Sequence, residues 1–185
     1  YKAHLLQRRT SYDALTGLPL RRILDESFDN TVVKFNQSGL YLFLLDIDHF
    51  KKVNDNYGHL IGDDVLRDFS RQLEAATRKS EPVYRYGGEE FIILLHAPDI
   101  EVASRVADRI RRSVAETEIY TAEHVLKITF TGALTRVYEN EILHEVLERA
   151  DGALYHGKQT GRNRCIYVDR RLNVLQRIEP AADIS

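Results

Sequence analysis

Val83-Tyr84-Arg85-Tyr86-Gly87-Gly88-Glu89-Glu90-Phe91-Ile92-Ile93-Leu94-Leu95 holds two strand-forming runs joined across a double glycine, a strong hairpin signal. Upstream, Leu40-Tyr41-Leu42-Phe43-Leu44-Leu45 is a nearly unbroken apolar run, as expected of a central strand buried on both faces. It stops at Asp46-Ile47-Asp48. Between these strands the pattern is helical from Phe50 to Asn56, broken at Gly58 and Gly62, and helical again from Asp63, a natural N-cap, to about Thr77. Before them, Ile23, Leu24, Phe28 and Val32 give a 3.6-residue period over Arg21 to Phe35.

After the hairpin a helix is expected over Glu101 to Ala115, a strand over Val125 to Val137, a helix over Leu143 to Tyr155 and a last strand at Cys165 to Val168. This order fits an α+β domain, with a mostly antiparallel central sheet flanked by helices in the ferredoxin-like manner. Residues 1–11 read as the end of a linker helix from an absent upstream domain. Residues 12–168 read as the folded domain, and 169–185 as a C-terminal tail. The chain has no methionine and starts at Tyr1, which reads as a piece of a longer protein.

The 185 residues suffice for one domain with a real core. The net charge of −2 creates no global attraction to nucleic acid or an anionic membrane, so neither is expected as a partner. Any phosphate must be held by a local set of donors. The single cysteine, Cys165, excludes an intrachain disulfide and suits a reducing cytoplasm. The seven histidines show no zinc-site spacing, and no apolar run approaches the ~20 residues of a membrane span.

Asp46 and Asp48 close one apolar strand, and Glu89 and Glu90 sit at the hairpin turn. If the strands pair, Asp46 and Glu89 face one another as hard oxygen ligands suited to Mg²⁺. The neighbouring glycines would let backbone approach a bulky phosphate. Lys51, Lys158 and Arg162 add positive charge. Each feature alone has a plain alternative, a tight turn, a solvated acid or a solvated lysine. Their joint appearance is what points to chemistry.

At this point the sequence resembles the GGDEF family of bacterial diguanylate cyclases, whose name-giving motif reads Gly87-Gly88-Glu89-Glu90-Phe91 here. The likeness runs in order through Asp13-Ala14-Leu15-Thr16-Gly17-Leu18-Pro19, Asp46-Ile47-Asp48-His49-Phe50-Lys51, Asn54-Asp55, Tyr57-Gly58-His59 and Gly62-Asp63. It continues through Arg85-Tyr86, Ala150-Asp151, Lys158 and Gly161-Arg162-Asn163. Within the family the chain is most similar to zinc-responsive cyclases of enterobacterial type.

The resemblance implies a palm-like nucleotidyl-cyclase fold that condenses two GTP into cyclic di-GMP and pyrophosphate across a homodimer. It implies two Mg²⁺ (or Mn²⁺) ions per active site, bound by Asp46, the Ile47 carbonyl and Glu89 with support from Glu90. Glu89 would also accept the 3′-hydroxyl proton, and Asp48 would stand behind the ligands rather than among them. Asn54 and Asp63 would read guanine, with His59 alongside in the substrate site. Lys51, Lys158, Arg162 and the backbone around His49 and Phe50 would hold the phosphates. Arg78 and Glu81, in Arg78-Lys79-Ser80-Glu81, with Arg109 as a second arm, stand where many members carry an inhibitory product site built on Arg-x-x-Asp. An upstream sensor domain in a longer protein is also implied. The rival from another class is a non-catalytic module that senses GTP or cyclic di-GMP.

Overall fold

The computed structural model describes residues 11–35, 37–170 and 175–180. Residues 1–10 of the expected 1–11 linker helix and most of the tail lie outside these residues. The first helix, α1 (Arg21–Phe35), leads into β1 (Leu40–Ile47), which is followed by α2 (Phe50–Tyr57) and α3 (His59–Ala76). The hairpin is β2 (Val83–Arg85) with β3 (Glu90–His96), and α4 (Ile100–Glu116) follows. Then come β4 (Ile119–Tyr120), β5 (Val125–Leu126), β6 (Phe130–Val137), α5 (Leu143–Gln159), β7 (Cys165–Val168) and β8 (Leu175–Arg177).

The main sheet has the order β2-β3-β1-β6-β7-β8. Every neighbouring pair is antiparallel except β6 and β7. The expected α+β class with a mostly antiparallel sheet is therefore what the chain forms. Alternation along β1 sorts its side chains into two cores. Tyr41, Phe43 and Leu45 pack with Val65, Phe69 and Leu73 of α3 and Ala107 and Ile110 of α4. Leu40, Leu42 and Leu44 face Leu24 and Phe28 of α1 and Val146 and Leu147 of α5. All eight residues of β1 are buried. At about 1.5–3 kcal/mol per fully buried large apolar side chain, this strand is held more firmly than any edge strand. Phe69 makes edge contacts to Phe91 at 4.9 Å and Phe130 at 5.8 Å between ring centres, fixing α3 across β3 and β6. The rigid strand delivers Asp46, and the pinned hairpin delivers Glu89 and Glu90.

Four expectations need correction. Asp63 is not an N-cap: α3 begins at His59 and runs through Gly62, because Gly58 (φ 87°) already supplies the break. Val125–Val137 is not one strand, since a small β4–β5 hairpin stands apart from β6. The helix expected to end at Tyr155 continues to Gln159, so Lys158 sits in its last turn rather than in a loop. The sheet also extends past residue 168, for β8 pairs with β7 and the Ile178 N–H donates to the Cys165 carbonyl at 2.9 Å.

Candidate active site

Asp46 and Glu90 are cross-strand partners, and the Ile47 N–H donates to the Glu89 carbonyl at 3.2 Å. Pairing of β1 with β3 thus places three carboxylates at one end of the sheet. Burial raises the pKa of all three, and the Asp46 charge adds to the rise at Glu89 and Glu90. Lys158 Nζ lies 2.9 Å from Asp46 Oδ2 and works in the opposite direction. Asp151 on α5 contributes a further charge near Glu90. The cluster is short of positive charge, as a cation-binding centre must be. Among the described residues no three acidic, His or Cys side chains already close around a metal. The donors whose chemistry fits one are Asp46, Glu89 and the Ile47 carbonyl, all hard oxygens.

The turn between β2 and β3 closes through Tyr86 and Gly87 N–H groups donating to the Glu90 carbonyl at 2.8 and 3.1 Å. Neither glycine adopts left-handed backbone. A Cβ on Gly87 would stand 2.8 Å from Glu90 Oε2, whereas one on Gly88 would meet open space. Gly87 therefore makes room for the carboxylate of Glu90, which revises the expectation that both glycines clear backbone for phosphate. Clearance on the open side belongs to Gly88.

Sequence reasoning gave no role to the clasp that holds this turn. Arg85 donates to the carbonyls of Gly87 (3.3 Å) and Gly88 (2.8 Å) and to Asp13 Oδ2 (2.7 Å). Asp13 also accepts from the N–H and hydroxyl of Thr16. Burial alone would push the Asp13 carboxyl up, but these hydrogen bonds and the Arg85 charge outweigh it and hold its pKa below the usual range. A depressed pKa means that its stabilisation is present at neutral pH and is lost as pH falls through that lowered value. Asp13→Ala is expected to cost about 2 kcal/mol in a urea titration, discounted from a fully buried pair because both side chains keep some exposure. It should also slow turnover by freeing Arg85. An unchanged midpoint would remove the clasp from the account.

Asn54 on α2 and Asp63 on α3 lie on either side of the sharp break at Gly58, and Gly62 lets the Asn54 side chain approach α3. A Cβ at position 62 would come within 1.9 Å of Asn54 Oδ1. Gly62→Ala is expected to raise the KM for nucleotide about tenfold by displacing Asn54, a shift of roughly 1.4 kcal/mol. Its unfolding midpoint should barely fall, because alanine is favoured over glycine by about 1 kcal/mol inside a helix. An unchanged KM would show that Asn54 does not touch the base.

His49 starts α2 with left-handed backbone (φ 55°), turning the chain so that the first N–H groups of the helix, around Phe50 and Lys51, precede any intrahelical partner. Lys51 and His59 are exposed on these helices. Across the site, α5 ends in a turn where the Arg162 N–H donates to the Gly157 carbonyl at 3.0 Å. Arg162 lies close enough to Asp46 to lower its pKa. Asp48 is buried and accepts from Thr129, Thr131 and the Asn163 N–H. Thr129, just before β6, and Thr131, within it, stand two apart, the available signal for this hub, and it was missed.

Glu81 is buried beside Arg78. Its carboxylate accepts from the Arg78 N–H at 2.9 Å and the His96 N–H at 3.3 Å. Arg109 donates to the Ala76 carbonyl at 3.2 Å, bringing it to the same helix end as Arg78.

Residues 10–164 match the family described as diguanylate cyclase, GGDEF domain. The chain is 51% identical over 178 residues to diguanylate cyclase DgcZ of Escherichia coli (strain K12), covering 96% of this chain and 60% of that protein. It is 39% identical over 168 residues to diguanylate cyclase DgcP of Pseudomonas aeruginosa, covering 89% of this chain and 25% of DgcP. Thus the chain spans less than two thirds of either relative. The solved coiled-coil and GGDEF domain of DgcB from Caulobacter crescentus, in complex with c-di-GMP, is similar with a TM-score of 0.81 and 30% identity. That match covers 90% of this chain and 91% of the DgcB chain.

Proposed function

The chain belongs to the GGDEF domain family of diguanylate cyclases, and from that premise we propose that it joins two GTP into cyclic di-GMP with release of two pyrophosphates. The observation that carries the reading is the meeting of Asp46, Glu89 and Glu90 with Lys158 at one sheet end. The family depends on divalent metal. The finer proposal is Mg²⁺ or Mn²⁺, two per site, at Asp46, the Ile47 carbonyl and Glu89, with Glu90 completing the charge. When bound, the ions activate the nucleophile and neutralise charge on the phosphates.

The remaining roles fall to this chain's own groups. Asp63 accepts from guanine N1–H and the exocyclic amine while Asn54 and His59 border the base. Lys158, Arg162, Lys51 and the N–H groups at His49 and Phe50 hold the triphosphate. Glu89 takes the 3′-hydroxyl proton as that oxygen bonds to the α-phosphorus of the GTP held by a second copy. The α–β phosphoanhydride bond then breaks and pyrophosphate leaves. A homodimer is therefore part of the proposal, with an upstream sensor as its regulator and the cytoplasm, where GTP is available, as its place. No helix among the described residues is long and apolar enough to cross a membrane. A product site built on Arg78 and Arg109, with Glu81 beside them, would let cyclic di-GMP act as feedback inhibitor.

The complete acid set weighs against a module that only senses nucleotide. Incubation with GTP and Mg²⁺ should yield cyclic di-GMP by chromatography. Its absence at high protein concentration would overturn the proposal.

A further inference from the structure

We propose that Asp48 is a positioning residue for triphosphate binding: by accepting the Asn163 N–H, its buried carboxylate fixes the turn that carries Arg162. The inference rests on the cyclase reading above and adds a residue to it. The Asp46-x-Asp48 spacing invites a pair of metal ligands, but the two carboxylates face different groups. Asp46 meets Lys158. Asp48 is only 6% exposed, and its oxygens already have three donors. Oδ1 accepts from the Thr131 hydroxyl at 2.6 Å. Oδ2 accepts from the Thr129 hydroxyl at 2.7 Å and the Asn163 N–H at 2.9 Å. The Asp48 N–H in turn donates to the Thr129 carbonyl at 2.9 Å. Hydroxyl and amide donors, rather than a cation, satisfy this carboxylate.

The turn it grips needs an external hold. Arg162 (φ 59°) and Asn163 (φ 43°) both adopt left-handed backbone, which side-chain-bearing residues disfavour. Asn163 is clamped at both ends: Asp48 takes its N–H, and Arg111 donates to its Oδ1 at 2.9 Å. Arg111 is itself oriented by Asp108, which accepts from its Nε at 2.9 Å and is 2% exposed. Arg164 Nε closes the turn onto the Arg162 carbonyl at 3.0 Å. A chain of groups from α4 through the turn to the end of β1 therefore sets where the Arg162 side chain starts. Lys158 needs no such device, being already anchored in α5.

The test uses 3′-deoxyGTP, which lacks the attacking hydroxyl and cannot turn over, and 3′-deoxyGMP, which lacks the β- and γ-phosphates. Asp48→Asn removes the negative charge that strengthens the bond from the Asn163 N–H. It is expected to weaken 3′-deoxyGTP binding about tenfold, leave 3′-deoxyGMP binding unchanged, and speed hydrogen exchange at the Asn163 amide. In an Arg162→Ala background, Asp48→Asn should add less than about a twofold loss, because the two act as one unit. Arg111→Met, which frees only the far end of Asn163, should weaken 3′-deoxyGTP about threefold and serves if Asp48→Asn fails to fold. Unchanged 3′-deoxyGTP affinity in a folded Asp48→Asn protein, or a full tenfold loss on top of Arg162→Ala, overturns the inference. So does an equal loss for both nucleotides. If the unsubstituted protein binds neither, it is the cyclase reading that fails.

Discussion

Glu89→Gln is expected to lower cyclic di-GMP formation by about 1000-fold or more, since it removes a metal ligand and a proton acceptor at once. The fold should not suffer. The Glu89 carboxyl is pushed up by burial and by the Asp46 charge, so folding works against its ionisation. A raised pKa means that its contribution to stability is greatest below the unfolded value and is lost as pH rises through the folded one. At neutral pH and above, the ionised group therefore strains the acid cluster. Without divalent metal, the glutamine variant should melt at or above the temperature of the unsubstituted protein at pH 8, with the difference vanishing at acid pH. Added Mg²⁺ should raise the melting temperature of the unsubstituted protein more. A variant that keeps appreciable activity, or loses it by unfolding, would remove Glu89 from the centre of the site.

Asp63→Ser should reduce kcat/KM for GTP about 100-fold and leave the much weaker use of ATP little changed. The carboxylate matches the two adjacent donors of guanine, N1–H and the exocyclic amine, and adenine offers neither there. A serine hydroxyl satisfies at most one of them and carries no charge. Asp63 is half-buried within α3, so an unpaired charge there is penalised when the wrong base is bound. Selectivity that survives the substitution would mean the base is read elsewhere.

The sheet was legible because Leu40–Leu45 and Phe91–Leu95 are apolar on both faces, and only a central strand flanked by helices on each side uses such runs. Helix α1 was legible to its ends because its period and boundaries agree. The start of α3 was not. A helix interior normally rejects glycine, and Gly62 is accepted for a reason in another helix, the clearance for Asn54. Residues 119–126 were missed because a two-residue ladder carries no periodicity. At the site, residue types and motif order pointed to the acids, Lys158 and the Asn54–Asp63 pair. The clasp from Asp13 to Arg85, 72 residues apart, and the hub at Asp48, with partners 81 to 115 residues away, depend on tertiary proximity that spacing does not encode. The hold of Glu81 on the Arg78 and His96 N–H groups was likewise invisible in the sequence, because His96 lies 15 residues away on another element.

In the proposed reaction each copy holds one GTP, and the reacting partner comes from a second copy. The most direct measurement is the rate of cyclic di-GMP formation per molecule over about two decades of protein concentration, with oligomeric state followed by sedimentation in the same buffer. The expected result is a per-molecule rate that rises with the dimer fraction and vanishes as the chain becomes monomeric. Cyclic di-GMP made at a constant per-molecule rate by a monomer, or a product derived from a single GTP, would contradict it.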